Sequence, residues 1–183
     1  MDNGASSYRR YLDGDKDAFE PIMREYFDGL IFFINRYISD PVVSEDIAID
    51  VFADLIIHPK RYNFSVSLKT YLYMLGRSYA LNYLKRVKRV KISDISEHYD
   101  LSSDEPDLPD VVIKNDGKRE LYNAIEKLPS DMKTAVYLTY FEGMSYIEVA
   151  SVMKKNKKAV DNLLYRAKKE LAAILGENGR EYI

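Results

Sequence analysis

The sequence predicts an all-α protein of two small helical domains joined by an acidic, flexible linker. Apolar residues recur at intervals of three and four from about residue 15 to 90 and again from 118 to 175, without the alternation typical of strands. Residues 92–117 lose this periodicity and are rich in Asp, Ser and Pro. A chain of 183 residues has room for two such domains and a linker.

The first domain is predicted to contain four helices. Pro41 and the pair His58-Pro59 separate them. Pro21 fits only a first helical turn, so we expect the opening helix to start late or to kink. The predicted helices span roughly 15–28, 29–39, 44–57 and 67–88.

The charges are segregated along the chain although the net charge is only −2. The linker carries eight acidic residues and one basic residue, Lys114. Two basic clusters flank it, and each can meet a different anionic surface. The first cluster contains Lys85, Arg86, Lys88, Arg89 and Lys91, and the second contains Lys154, Lys155, Lys157, Lys158, Arg166, Lys168 and Lys169.

The second domain carries a helix-turn-helix pattern. Gly143 suits the left-handed end of a helix over about 131–142, and Ser145 with Glu148 forms a capping box for a short helix over 146–153. Asn156 can cap a longer basic helix that begins at Lys157. A short helix, a tight turn and a basic helix together favour DNA binding over an ordinary solvated basic face.

A helical wheel divides residues 157–171 into a core face and a face for DNA. Asn162 and Arg166 can reach base edges, whereas lysines meet phosphates. The core face contains Val160, Leu163, Leu164, Ala167 and Leu171. The predicted DNA face contains Lys157, Lys158, Asp161, Asn162, Tyr165, Arg166 and Lys169.

The third predicted helix combines an apolar stripe with an acidic ridge. Asp46, Asp50 and Asp54 follow each other at intervals of four, where like charges repel. Ile49 and Ala53 flank the ridge, so a basic, partly apolar protein surface would suit this face; a solvated acidic face is the alternative. The apolar stripe contains Ile47, Val51, Phe52, Leu55 and Ile56.

A polar and aromatic loop follows this helix at residues 61–67. Its side chains Tyr62, Asn63, Phe64 and Ser65 can stack on unpaired bases and hydrogen-bond their edges, with phosphates neutralised by nearby cations. The next helix is rich in tyrosine, and core packing is the alternative role for each of those rings. Leu68, Leu72, Leu75 and Tyr79 fall at helical spacing.

Several classes of protein are disfavoured by composition. The chain has no cysteine, and no catalytic Ser-His-Asp set, phosphate-binding glycine loop or metal-spaced cluster is evident, so we expect neither an enzyme nor a protein that needs a metal or cofactor. The N-terminus lacks signal-peptide features, and the longest apolar stretch, 29–34, is too short to span a bilayer. We expect a cytoplasmic protein without membrane insertion.

Motifs in both domains resemble the extracytoplasmic-function sigma factors of bacterial RNA polymerase, in the sigma-70 superfamily. The family's region 4 pattern is matched by Leu128-Pro129, by Glu142 through Ala150, by Val160 and by Arg166-Ala167. Its region 2 pattern is matched by Gly14-Asp15, Ala18-Phe19, Glu45-Asp46-Ile47, Val51-Phe52, Thr70 through Tyr73, Arg77 and Lys85-Arg86. Departures from the family pattern are Lys154 for glycine, Ala159 for threonine, Ile49 for glutamine, Tyr71 for tryptophan, Ser78 for asparagine and Asn82 for aspartate.

The resemblance implies a promoter-specific initiation factor with region 2 over 1–91, the linker over 92–117, region 4 over 118–176 and a tail over 177–183. The implied partners are promoter DNA, core polymerase through its β′ clamp helices and β flap, and an anti-sigma protein. The polymerase contacts would be Asp46, Ile49, Asp50, Phe52, Ala53 and Asp54. The −10 contacts would be Tyr62, Asn63, Phe64, Ser65, Tyr71, Arg77, Lys85 and Arg86, and the predicted DNA face of 157–171 would read the −35 element.

Two other interpretations remain open at this point. A stand-alone helix-turn-helix regulator would bind duplex DNA without polymerase, usually as a dimer on paired half-sites. A pure interaction protein would use the acidic helix as its docking face and have no role at DNA.

Overall fold

The computed structural model describes residues 4–93 and 116–176, which fold into helices and contain no strand. Contacts within the chain divide it into two compact units, Met1–Pro106 and Asp107–Ile183. The all-α fold class is therefore confirmed. Most of the predicted linker, 92–117, and the predicted tail, 177–183, lie outside the described residues.

Between residues 4 and 93 the first unit contains four α-helices, but they are not the four that the sequence predicts. The predicted helices 15–28 and 29–39 form one continuous helix, and a short helix over 5–12 was missed. Gly29 disfavours a helix by about 1 kcal/mol relative to alanine, yet the helix continues through it because its flanks pack into the core. The helices are α1, Ala5–Leu12; α2, Phe19–Ile38; α3, Pro41–Ile57; and α4, Leu68–Ser93, with 3₁₀ turns at Lys16–Ala18 and Pro59–Arg61.

Helices α2 and α3 begin where proline permits. In α2, Pro21 lies in the first turn, as expected, and α3 starts at Pro41, three residues before the predicted start at 44. The Asp40 carboxylate caps α3 by accepting hydrogen bonds from the backbone N–H groups of Val42 at 3.0 Å and Val43 at 3.2 Å. Proline at the first helical position loses no intrahelical bond, so the cap and the proline define this start together.

The core of the first unit lies between α2, α3 and α4, which pack against one another. Gly76 of α4 lets α2 approach closely, because a β-carbon there would lie 2.8 Å from Leu30 Cδ1. Leu68 and Leu72 are buried as predicted, whereas Leu75 and Tyr79 are only partly buried and Tyr73 fills the core. Fully buried side chains include Ile22, Leu30, Phe33, Ile34, Val51, Leu55, Leu68, Leu72 and Tyr73.

The second unit matches the predicted helix-turn-helix. Ser145 and Glu148 form the capping box, with the Ser145 N–H donating to Glu148 Oε2 at 2.9 Å, and Gly143 has φ 64°. Asn156 Oδ1 accepts a hydrogen bond from the Ala159 N–H at 2.8 Å. The helices are α5, Asp116–Glu126; α6, Ser130–Val136; α7, Tyr146–Met153; and α8, Lys157–Leu175.

Helix α6 does not keep α-helical geometry up to residue 142. A π-helical turn, Tyr137–Phe141, continues it, with the Glu142 N–H donating to the Tyr137 carbonyl at 3.1 Å. The Tyr137 hydroxyl also donates to Glu142 Oε1 at 2.6 Å. This widened turn joins α6 to the left-handed stop at Gly143.

No helix in the described parts of the chain combines the length and the apolar character needed to cross a membrane.

Candidate functional site

One side of α3 exposes apolar and acidic side chains together. Asp46 and Asp50 are exposed. Ile49, which lies between them in sequence, is 48% exposed, and Val42 before them and Ile57 after them are 70% and 67% exposed. Isoleucine and valine are among the residues most often buried, so a row of them at the surface of one helix needs an explanation. We call this surface the α3 face; its members are Val42, Glu45, Asp46, Ile49, Asp50, Ala53, Ile56 and Ile57.

Two predictions about α3 are wrong. Asp54 does not continue the exposed ridge of Asp46 and Asp50, since it is only 8% exposed. A helix turns about 100° per residue, so each step of four overshoots a full turn by about 40°, and two such steps bring Asp54 to the edge of the core. Ile56, placed in the predicted apolar stripe opposite the acids, is 44% exposed and lies on the same side of α3 as Asp46.

Phe52 and Ala53 also differ in their access to a partner. Phe52 is 2% exposed and packs against Phe19 and Phe27, so it supports the α3 face from inside and does not reach its surface. Ala53 is partly exposed in the middle of that face.

The Asp54 carboxylate has partners within the unit. Arg61 Nη1 donates to Asp54 Oδ1 at 2.6 Å, and His58 Nε2 lies 3.8 Å from the same oxygen. Burial and the nearby Asp54 charge raise the pKa of Tyr71, which Arg61 lowers in part. Burial and the same Asp54 charge also raise the pKa of Tyr79, and Arg61 again lowers it in part. Asp54 therefore ties the end of α3 to the 3₁₀ turn, and its charge acts on Tyr71 and Tyr79 of α4.

The loop over 62–67 is held in a defined shape by its own side chains. The Tyr62 hydroxyl donates to the Val66 carbonyl at 2.8 Å, and Asn63 Oδ1 accepts from the Ser65 N–H at 3.1 Å. Ser67 Oγ accepts from the Thr70 N–H at 3.1 Å and so caps α4. Phe64 has φ 61°, a left-handed conformation that costs a bulky residue energy and persists only where neighbours hold it.

The predicted base-contacting side chains of this loop lie at two depths. Asn63 and Ser65 are exposed and Phe64 is partly exposed, whereas Tyr62 is only 3% exposed. The Tyr62 ring lies beneath Phe64, with ring centroids 4.5 Å apart, and beside Tyr71 at 4.9 Å. Tyr62 therefore lies beneath the loop surface, which leaves Phe64 to stack on a base and Asn63 and Ser65 to hydrogen-bond its edge.

The remaining predicted −10 residues are spread along α4. Tyr71 and Arg77 are partly buried, whereas Lys85 and Arg86 are exposed, with the Arg86 guanidinium 5.6 Å from the centre of the Tyr83 ring. At a rise of about 1.5 Å per residue, Lys85 lies roughly 25 Å along the helix from its start. This helix therefore brings Tyr71 to the loop but keeps the basic cluster well away from it.

In α8 the predicted division into two faces is observed. Val160, Leu164, Ala167 and Leu171 are buried and Leu163 is partly buried. Lys169 Nζ lies 5.7 Å from the centre of the Tyr165 ring. All seven predicted DNA-contacting residues are exposed: Lys157, Lys158, Asp161, Asn162, Tyr165, Arg166 and Lys169. We call these seven residues the α8 face.

Sequence reasoning left Glu45 and Ile56 of the α3 face out of the predicted contacts, and three further residues as well. Val42 and Ile57 extend the α3 face, and helical spacing from Ile49 would have found both. Arg9 of α1 lies over Phe64, with its Cζ 4.7 Å from the ring centre. No local pattern indicates that contact, because 55 positions separate the two residues.

Within the described residues, His, Asp and Glu side chains form no group that could hold a metal ion.

Comparison with known families matches both units. The family model of Sigma-70 region 2 matches residues 22–90, and that of Sigma-70, region 4 matches residues 118–171. A region 2 match over the first unit favours a sigma factor over a stand-alone helix-turn-helix regulator.

Known sigma factors are similar over nearly the whole chain. RNA polymerase sigma-H factor of Pseudomonas aeruginosa is 26% identical over 91% of this chain and 90% of its own. ECF RNA polymerase sigma-E factor of Haemophilus influenzae is 27% identical over 87% of this chain and 88% of its own.

Two solved structures share the fold. The sigma factor RpoE in complex with the anti-sigma factor NepR from Bartonella quintana has a TM-score of 0.62 at 19% identity, covering 87% of this chain and 97% of that one. CnrH in complex with the cytosolic domain of CnrY has a TM-score of 0.60 at 17% identity, covering 94% of each chain. With region 2 and region 4 matched in order, this chain belongs to the sigma-70 family, in its extracytoplasmic-function group, and is a factor of promoter-specific transcription initiation.

Proposed function

We propose that this sigma factor docks onto core RNA polymerase through the α3 face, and the exposed isoleucines among acids on that face are the observation that carries the proposal. A partner that covers Ile49, Ile57 and Val42 removes apolar surface from water, at about 25 cal/mol per Å². Asp46 and Asp50 beside them select a basic partner and steer its approach. The partner expected from the family resemblance is the β′ clamp helices.

The loop over 62–67 would capture a base from the melted −10 strand. Asn63 and Ser65 offer exposed amide and hydroxyl groups to a base edge, and Phe64 offers a partly exposed ring for stacking. Unstacking a base costs a few kcal/mol, which such contacts can offset. Because Tyr62 and Tyr71 hold the loop from below, its shape exists before DNA arrives.

The α8 face would read the −35 element as duplex DNA. Asn162 and Arg166 are exposed at the middle of the face, where their donors and acceptors can meet base edges in the major groove. Lys157 and Lys158 at the start of α8, and Lys169 further along, would bind phosphates. The capping box and the Asn156 cap fix the short helix and the recognition helix at defined ends.

The domain limits and the other partners follow from this assignment. We assign residues 1–91 to region 2, 92–117 to the linker and 118–176 to region 4, which would also contact the β flap. Since two structural neighbours are complexes with an anti-sigma factor or a cytosolic partner domain, an anti-sigma protein would bind this chain too. We further propose that the protein acts in the cytoplasm and catalyses no reaction of its own.

The decisive experiment reverses charge on the α3 face. Asp46→Lys with Asp50→Lys should abolish co-purification with core polymerase and run-off transcription, while thermal unfolding of the chain stays unchanged. The matched control reverses two exposed acids of α2, Glu25→Lys with Asp28→Lys, and should keep both activities. Transcription would use a promoter identified by mapping transcript starts after overproduction. Wild-type-like binding by the α3 variant would overturn the β′ assignment.

A further inference from the structure

Arg9 of α1 lies at the loop that the proposed function assigns to base capture. Its guanidinium carbon is 4.7 Å from the centre of the Phe64 ring. Burial raises the pKa of Tyr62, and the nearby positive charge of Arg9 offsets part of that rise. Arg9 is exposed, as are Asn63 and Ser65 in the loop. A guanidinium, an aromatic ring, an amide and a hydroxyl group thus lie on one surface of the first unit.

The contacts of Arg9 differ from those of its neighbour in sequence. Arg10 is ion-paired with Asp15, with its Nη2 at 2.5 Å and its Nε at 3.1 Å from the same carboxylate oxygen. Within residues 4–93, no carboxylate lies at ion-pair distance from Arg9. A cation–π contact uses the charge of a guanidinium but none of its N–H donors, so those of Arg9 remain available to a ligand.

Arg61 and the basic cluster of α4 serve the loop less well than Arg9 does. Arg61, which precedes the loop in sequence, forms an ion pair with Asp54, with Nη1 2.6 Å from Oδ1. The basic cluster that includes Lys85 lies roughly 25 Å along α4. Single-stranded DNA sites combine a stacking ring with a cation for the backbone of the stacked nucleotide, and Arg9 is placed to supply that cation.

We propose that Arg9 binds a phosphate of the nucleotide whose base is captured by the loop over 62–67, so that α1 forms part of the −10 site. This inference rests on the proposed function. The stacked guanidinium would be held at the loop before DNA arrives, and its planar set of donors suits a phosphate. The same contact would brace Phe64 in its left-handed conformation.

The test uses holoenzyme assembled from core polymerase and the full chain. The probe is a fork-junction DNA of a mapped promoter with a single-stranded non-template −10 element. Dissociation constants are measured over a range of salt concentrations. Arg9→Ala should weaken binding by about tenfold and lower the slope of log K against log salt by about 0.7, the value for one phosphate of a single strand. Arg9→Lys should keep most of the slope, and Arg10→Ala is the matched control that should match wild type.

A second arm separates phosphate contact from bracing of the loop. Neutral methylphosphonate linkages are placed one at a time along the single-stranded −10 element. One of them should weaken wild-type holoenzyme while leaving Arg9→Ala holoenzyme unaffected, because the lost contact is already absent. If Arg9→Ala keeps the wild-type slope, or every methylphosphonate weakens both proteins equally, the inference is wrong. If wild-type holoenzyme binds fork-junction DNA no more tightly than duplex DNA, the proposed base capture itself is wrong. That result differs from a failure of the Arg9 inference, in which the wild type still prefers the fork junction.

Discussion

The Tyr8 hydroxyl donates a hydrogen bond to the backbone carbonyl of Leu55 at 2.7 Å. In an α-helix that carbonyl would accept from the N–H four residues later, but that residue is Pro59, which has none. Tyr8 is fully buried, so its hydroxyl completes the last turn of α3 from another helix. Helix α1 thereby fixes the end of the helix that carries the α3 face.

Tyr8→Phe should lower the free energy of unfolding by about 1–3 kcal/mol, because it leaves a buried carbonyl without a partner. Urea unfolding of the full chain measures the change. Tyr11→Phe is the control, since the described residues offer the Tyr11 hydroxyl no hydrogen bond, and it should stay within about 0.5 kcal/mol of wild type. Equal effects of the two substitutions would show that the Tyr8 bond contributes nothing.

The same tyrosine makes stability depend on pH in the alkaline range. Burial, with a further contribution from Tyr11, raises the pKa of Tyr8 from 10.0 to about 12. The unfolded chain releases this proton near pH 10 and the folded chain near pH 12, so the stabilisation is complete below pH 10 and is lost as the pH rises towards 12. Unfolding midpoints from pH 8 to 12 should fall more steeply for wild type than for Tyr8→Phe. Tyr140→Phe, at a 53% exposed site, should follow wild type.

The Asp54–Arg61 pair should behave as a coupled unit. Arg61→Ala leaves the Asp54 carboxylate buried without its guanidinium and should cost about 1–3 kcal/mol of stability. Asp54→Asn with Arg61→Ala removes the charge that was left behind, so the double variant should be more stable than the sum of the two single changes predicts. A double-mutant cycle from urea unfolding measures this coupling. Additive effects would mean that the two side chains act independently.

The sequence was sufficient for features defined by local spacing. The capping box at Ser145, the stop at Gly143 and the cap at Asn156 each depend on residues within three positions, and all three are present. The division of α8 into core and exposed faces likewise follows from helical periodicity alone.

Features that depend on contacts between distant segments were missed. The burial of Asp54 was not predicted because Arg61 and His58, which make burial of a carboxylate tolerable, both lie beyond the helix end. Helix α1 was missed because its single buried residue, Tyr8, gives no periodic pattern. The depth of Tyr62 and the contact of Arg9 with Phe64 require the packed unit, in which segments far apart in sequence meet.

Lys154 occupies a left-handed position, φ 53° and ψ 45°, where the family pattern has glycine. This conformation costs a residue with a β-carbon about 1–2 kcal/mol. Glycine avoids that cost but makes the unfolded chain more flexible, which offsets part of the gain. Lys154→Gly should therefore raise the free energy of unfolding by about 0.5–1 kcal/mol. Thermal unfolding measures the gain. Lys154→Ala removes the same charge but keeps the β-carbon, and it should give no gain. A gain with alanine would attribute the effect to charge.

Within the α8 face, substitutions of Asn162 and Lys157 should have different consequences for DNA. Asn162→Ala should reduce discrimination at one base pair of the −35 element by about 1–3 kcal/mol, since an amide can pair with a base edge. Lys157→Ala should weaken binding to all sequences alike and lower the salt slope by about 0.9, because the lysine would release one counterion from duplex DNA. Holoenzyme binding to a set of promoters with single −35 substitutions, at several salt concentrations, separates the two effects. Equal loss of affinity for every substituted promoter with Asn162→Ala would remove this residue from base readout and leave it among the phosphate contacts.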